Sequence, residues 1–277
     1  MRHLSRSGRV LGLLTAALMC VVWAGLTEVH AAPADTGPTV LKKGKAPRVQ
    51  LALKLAVGSK GRATLLNKTS VTGAPGGDVN PPAVTTGLDW KITGGDAKKG
   101  WAFEVVAELP PPPPQYADRG MPTSITLEGT VAPDGSQVFK EYKGGEPGFG
   151  RFVSMMASEF AKNAIRLPSA PVGVGAKWQV VQKVDLMMMK TTNTTTYELT
   201  RMTPGGFAAT MTTTVVSDGG AATATGKTTT KLIWGADQLF PPSLVADSKM
   251  ATTMKMGEET LNMTTTLHLE QTSKLVR

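Results

Sequence analysis

The stretch Leu261-Asn262-Met263-Thr264-Thr265-Thr266-Leu267-His268-Leu269-Glu270 decides the fold class of this chain. Leu261, Met263, Leu267 and Leu269 share one parity; Asn262, Thr264, Thr266, His268 and Glu270 share the other. Successive strand side chains point to opposite faces, so a period of two marks a strand with one dry face and one wet face. The period recurs at Val49, Leu51, Leu53, Leu55 and Val57, and again at Trp101, Phe103, Val105, Ala107 and Leu109. It returns at Ile125, Leu127, Gly129 and Val131, and at Trp178, Val180, Val184, Leu186 and Met188.

Between Thr191 and Thr272 there are 23 threonines, a density that disfavours helix because the β-branched side chain is stiff at χ1. Runs such as Thr194-Thr195-Thr196 and Thr212-Thr213-Thr214 read as wet strand faces. Mucin-like stalks would lack the interleaved Met, Leu and Val. Pro133-Asp134-Gly135-Ser136 and Thr203-Pro204-Gly205-Gly206 are turn sequences, and Gly73 to Pro82 is a longer loop. The run Pro110 to Pro114 reads as a stiff connector rather than a ligand for a proline-recognising groove.

One segment follows a different period. Phe149, Phe152, Val153, Met156, Phe160, Ala164 and Leu167 fall at helical spacing, with Pro168 as the stop. The expected fold is therefore mainly β: an antiparallel meander of about 10–12 strands, curled or sandwich-like. An amphipathic helix at 149–166 would link two halves, 48–145 and 168–277. Val57-Gly58-Ser59-Lys60-Gly61 parallels Val174-Gly175-Ala176-Lys177-Trp178, and Gly100-Trp101-Ala102-Phe103 parallels Gly206-Phe207-Ala208-Ala209. These parallels suggest duplicated halves; the general likeness of alternating strands is the other reading.

The stretch Leu167-Pro168-Ser169-Ala170-Pro171-Val172-Gly173-Val174-Gly175-Ala176-Lys177-Trp178 resembles the opening of the second half of a bacterial exported family of unknown function. That resemblance implies a two-part, β-rich, exported domain covering about residues 49–275, and brings no catalytic residues. The first half departs from it, because Gly61 stands where an aromatic residue is expected.

The beginning of the chain gives an address. Arg2, Arg6 and Arg9 precede an apolar run from Val10 to Leu26, and small residues follow around Ala31. This order is that of a cleavable signal peptide over 1–31, with cleavage after Ala34 as the alternative. The apolar run is shorter than the roughly 20 residues that span a bilayer, so no stable transmembrane segment is expected after cleavage. Residues 32–47, rich in Ala, Pro, Gly and Lys, read as a flexible tail before a single β-rich domain at 48–277. The sole cysteine, Cys20, lies in the apolar run, so the exported domain would lack disulfides and thiolate sites.

The chain carries a formal charge of +9. The basic residues form no long cluster interleaved with aromatics, which points to a mildly basic soluble domain and away from nucleic acid. After residue 31 the one histidine is His268, on the Thr/Glu side of its strand. A Ser-His-Asp or zinc site would have to rest on it alone. Asp89, Glu104, Glu128, Asp185 and Glu198 show no spacing that singles out a catalytic pair. No cofactor motif is present, and the expectation is a protein that is not an enzyme.

Ten or so strands would make a sheet roughly 48 Å wide, while one helix of about 18 residues is roughly 27 Å long and 10 Å across. The helix cannot shield such an apolar face, so the sheet must fold on itself or curl and leave a lined concavity. The latter resembles the lipid-carrier folds of the bacterial envelope. The residues expected to line it are Leu53, Phe103, Phe152, Met156, Phe160, Leu186, Met188, Met254 and Met263. The first functional expectation is thus a periplasmic or extracellular carrier of a lipid or other apolar small molecule. The alternative is a structural surface protein with a closed core and an envelope protein as partner.

Overall fold

The computed structural model describes residues 35–109, 122–143, 164–186, 189–219, 222–256 and 259–276. These form twelve strands: β1 (Asp35–Lys42), β2 (Lys60–Thr72), β3 (Val84–Asp96), β4 (Gly100–Glu108), β5 (Ser124–Val131), β6 (Gln137–Lys143), β7 (Lys177–Leu186), β8 (Met189–Thr203), β9 (Gly206–Asp218), β10 (Ala222–Gly235), β11 (Ser243–Met256) and β12 (Glu259–Val276). All lie in one antiparallel sheet with the order β1-β7-β8-β9-β10-β11-β12-β2-β3-β4-β5-β6. Two meanders, β7–β12 and β2–β6, are joined where the last strand pairs with β2, from Thr264 opposite Thr72 to Val276 opposite Lys60.

The expected β class and antiparallel meander are present. No helix occurs among the described residues. Residues 149–163 of the expected helix lie outside them, and its expected end, 164–166, is not helical. The segment 35–42, read as tail, is instead the edge strand β1, paired with β7 from Asp35 opposite Gln182 to Lys42 opposite Lys177. The signal segment and the proline run also lie outside the described residues.

A second correction concerns 49–57. Its alternation is real, for Leu51, Leu53 and Leu55 are all buried, but it joins no ladder beyond a single bridge from Val49 to Val172. It crosses one end of the sheet instead. The Leu53 amide donates to the Pro133 carbonyl in the β5–β6 turn, and the next amide, Lys54, donates to the Ala236 carbonyl after β10. Consecutive residues advance the chain by about 3.5 Å, so those carbonyls are within about 10 Å of each other. Six strand spacings separate β5 from β10, roughly 29 Å on a flat sheet. The sheet is therefore curled at this end, and the 49–57 segment ties its two flanks together. Gly135 in the same turn lies against the Trp234 ring and the Ile165 carbonyl, which brings β6, β10 and the 164–168 segment to one place.

Large side chains fill this end. Trp90, Ile92, Phe103, Leu127, Trp178 and Trp234 belong to one continuous buried group with Leu53. Phe103 meets Phe139 edge-on at 5.3 Å, and Trp178 stacks on its cross-strand partner Tyr197 at 5.0 Å. The Trp178 indole N–H donates to the Arg166 carbonyl at 2.8 Å, so the polar end of this buried ring is satisfied. Burial also pushes the Tyr197 hydroxyl up to about 12, keeping it protonated inside the core.

Candidate functional site

β8 through β12 run on past this core, and the concave face changes character along them. Near the packed end the inward rows carry Leu199, Ala209 and Leu232, side by side on β8, β9 and β10. Two to four rows further out the same strands turn in Thr195, Thr213 and Thr228, then Thr191, Ser217 and Ala224. The threonines read from sequence as wet faces are thus divided. In Thr194-Thr195-Thr196 the middle residue takes the inward parity of Tyr197 and Leu199, and Thr213 takes that of Phe207 and Ala209. Thr191, Thr230, Thr252 and Thr265 are buried on the same side.

Inward hydroxyls pair across strands, which lowers the cost of burying them. Thr191 and Ser217 are 2.7 Å apart, Thr195 and Thr213 3.0 Å, and the Thr228 hydroxyl donates to Ser248 at 2.8 Å. The other side of the concavity, on β11, β12 and β2, is richer in apolar side chains, with Ser248, Thr252, Thr265 and Thr69 among them on the inward parity. Met263 and Val71 are buried there with Met254, Leu261 and Ala74 packed around them. This group is separate from the main core. Between the two lie Met250, Leu267 and Leu269, inward in parity and only half-buried.

The residues expected to line a cavity fall into three sets. Leu53 and Phe103, each 2% exposed, are sealed in the core at the tied end. Met254 and Met263 lie together at the opposite end. Phe152, Met156, Phe160 and Met188 lie outside the described residues; Leu186 ends β7, and its side chain is not described. The structure does not bring the first pair to the second. The inward hydroxyls and Asn193, Leu267 and Leu269 were not anticipated as lining. Their parity relative to Tyr197 and Met263 is the sequence signal that finds them.

The convex face carries a different feature. A depression of about 440 Å³ lies over β11, β12 and β2, edged by Lys68, Ser70, Asp247, Thr266 and His268. His268 Nδ1 is 2.7 Å from Asp247 and Nε2 is 2.9 Å from Glu270. The bonds to Asp247 and then to Glu270 raise the imidazole pKa, and the bond to His268 lowers that of Glu270. Ser70 and Thr266 face each other one rung away, and their hydroxyls are 2.5 Å apart. They do not form a nucleophile–base pair with His268. The nitrogen that would have to accept the serine proton already faces Glu270, which sits on the far side of His268 from Thr266. Nor do the two carboxylates converge on one ion, since they hold opposite nitrogens of the ring. Among the described residues no group of three or more His, Cys, Asp or Glu is placed to hold a metal.

Among the described residues no helix is long and apolar enough to cross a membrane. Comparison of the chain with family models, curated proteins and solved structures finds no match to any of them.

Proposed function

We propose that this chain is an exported, non-enzymatic carrier that holds a lipid or other apolar molecule on the concave face of its curled sheet, in the cell envelope. The observation that carries the reading is the break in the apolar interior. Two buried groups lie on one face, and the stretch between them is lined by half-buried Met250, Leu267 and Leu269. A closed sandwich would fill that stretch with side chains from a facing layer, because protein interiors pack to near-crystalline density. Methionine suits such a surface, being flexible and polarisable enough to adapt to an irregular apolar ligand. The basic, apolar and small-residue order of residues 1–31 supports export.

Native mass spectrometry of the protein recovered from the exporting host tests this. The expected result is a bound species of lipid mass that organic extraction releases, and a stripped protein that binds the apolar dye N-phenyl-1-naphthylamine. A homogeneous unliganded mass together with no dye binding would overturn the proposal.

A further inference from the structure

The walls of the concavity have a property that sharpens the carrier reading and rests on it. Beyond the packed core, among the described inward positions of β8 to β12 and β2 from Thr191 to Thr195, Met211 to Ser217, Ala222 to Thr230, Ala246 to Met254, Leu261 to Leu269 and Leu65 to Val71, there is no ionisable side chain. Every lysine and acid of those stretches takes the outward parity. Lys190, Lys227 and Lys249 are exposed. The contrast is sharp in a chain with 30 lysines and arginines.

One wall is nevertheless polar. Thr195, Thr213 and Thr228 present hydroxyls on β8, β9 and β10. Beside them, on the same parity of β8, Asn193 has an enclosed Oδ1 that no donor among the described residues meets. An enclosed carbonyl oxygen without a donor is costly, and a ligand donor would remove that cost. The opposite wall is richer in apolar contact, from Met250, Met263, Leu267 and Val71, with the buried Thr252 and Thr265 set among them.

We infer that the preferred ligand is an uncharged amphiphile with a hydroxyl-bearing head, such as a monoacylglycerol. Its chain lies along the Met/Leu wall and its hydroxyls meet Asn193 and the threonines. A fatty carboxylate or a phosphate ester would bring a charge to a face whose described inward positions hold no cation to pair with it, and an unpaired buried charge is strongly disfavoured. Within those stretches the lysines lie on the convex side.

The experiment is displacement of N-phenyl-1-naphthylamine from the stripped, full-length exported protein at pH 8, with 1-monooleoylglycerol, oleate and oleyl phosphate as competitors below their aggregation concentrations. Monooleoylglycerol is expected to displace the dye at a concentration at least about tenfold lower than either anion. Asn193→Leu is expected to weaken monooleoylglycerol several-fold relative to the dye, with the ratio of the two affinities as the readout. Met250→Lys, which places a cation on the concave face, is expected to shift the preference toward oleate. Both variants are checked for a strand-type circular dichroism spectrum, and the selectivity of the unaltered protein stands by itself if either fails to fold. Dye binding with anions competing as well as monooleoylglycerol would overturn this inference and leave the carrier reading standing. No binding of the dye or of any competitor would overturn both.

Discussion

His268 is gripped from both sides, and the consequence is a pH dependence with a definite sign. Its pKa is raised in the folded chain, first by Asp247 and then by Glu270. The stabilisation it contributes is therefore fully present below the unfolded value of about 6.5 and is lost as pH rises through the higher folded value. Glu270, with its pKa lowered by the same contact, contributes above its unfolded value and loses that contribution as pH falls through the lower folded one. The clamp is strongest between the two. Histidine NMR should find His268 titrating above 6.5, and Asp247→Asn should bring the value down; an unchanged titration would show that the Asp247 contact does not form. The sequence placed His268 on the Thr/Glu side, as found, but could not show both partners. Asp247 reaches it through the β11–β12 register, 21 residues away along the chain. Gly61, where an aromatic residue was expected, is explained at the same scale. A Cβ there would sit 2.6 Å from the Trp90 ring, which already covers the position from the neighbouring strand. Gly61→Ala should cost about 1–3 kcal/mol by overpacking, read as a lowered denaturation midpoint with an unchanged slope.

At the scale of the element, periodicity located β4, β5, β7 and β12, and parity picked out the core face of β4 and β5. Trp101, Phe103, Val105 and Ala107 are all buried on one face of β4, as are Ile125, Leu127 and Val131 on β5. Two elements misled for physical reasons. The 49–57 segment alternates because it too lies between core and solvent, yet its hydrogen bonds go to turn carbonyls rather than to a neighbouring strand. β1 has little apolar pattern of its own because an edge strand needs only backbone pairing to hold its place, here against β7. The threonine strands were legible as strands, but their inward hydroxyls were not. A threonine has the same propensity on either face, and only register shows which hydroxyls pair. Trp178 on β7 tests how the tied end is held, since it stacks on Tyr197 and donates to the Arg166 carbonyl. Trp178→Ala should cost about 3–5 kcal/mol in a denaturant titration, against under about 0.5 kcal/mol for Ile233→Thr on the convex face.

For the whole molecule, the sequence argued that one helix could not shield so wide a face and left a folded or a curled sheet open; the hydrogen bonds of Leu53 and Lys54 show the curl. What the sequence could not give was the strand order. Pairing of β12 with β2 joins the end of the second meander to the start of the first, and that long-range choice brings His268 to Lys68 and the Met263 region to Val71. The curl then depends on a feature with no periodic signature, two adjacent amides spent on carbonyls from opposite flanks of the sheet. Hydrogen exchange of the Leu53 and Lys54 amides followed by NMR tests this most directly. The structure predicts both among the slow amides, exchanging on the timescale of the β4 and β12 ladders because release requires the tied end to open. Rapid exchange at both, with the β4 and β12 amides still protected, would mean that the segment does not bind the two flanks together, and would contradict the curled sheet on which the carrier reading stands.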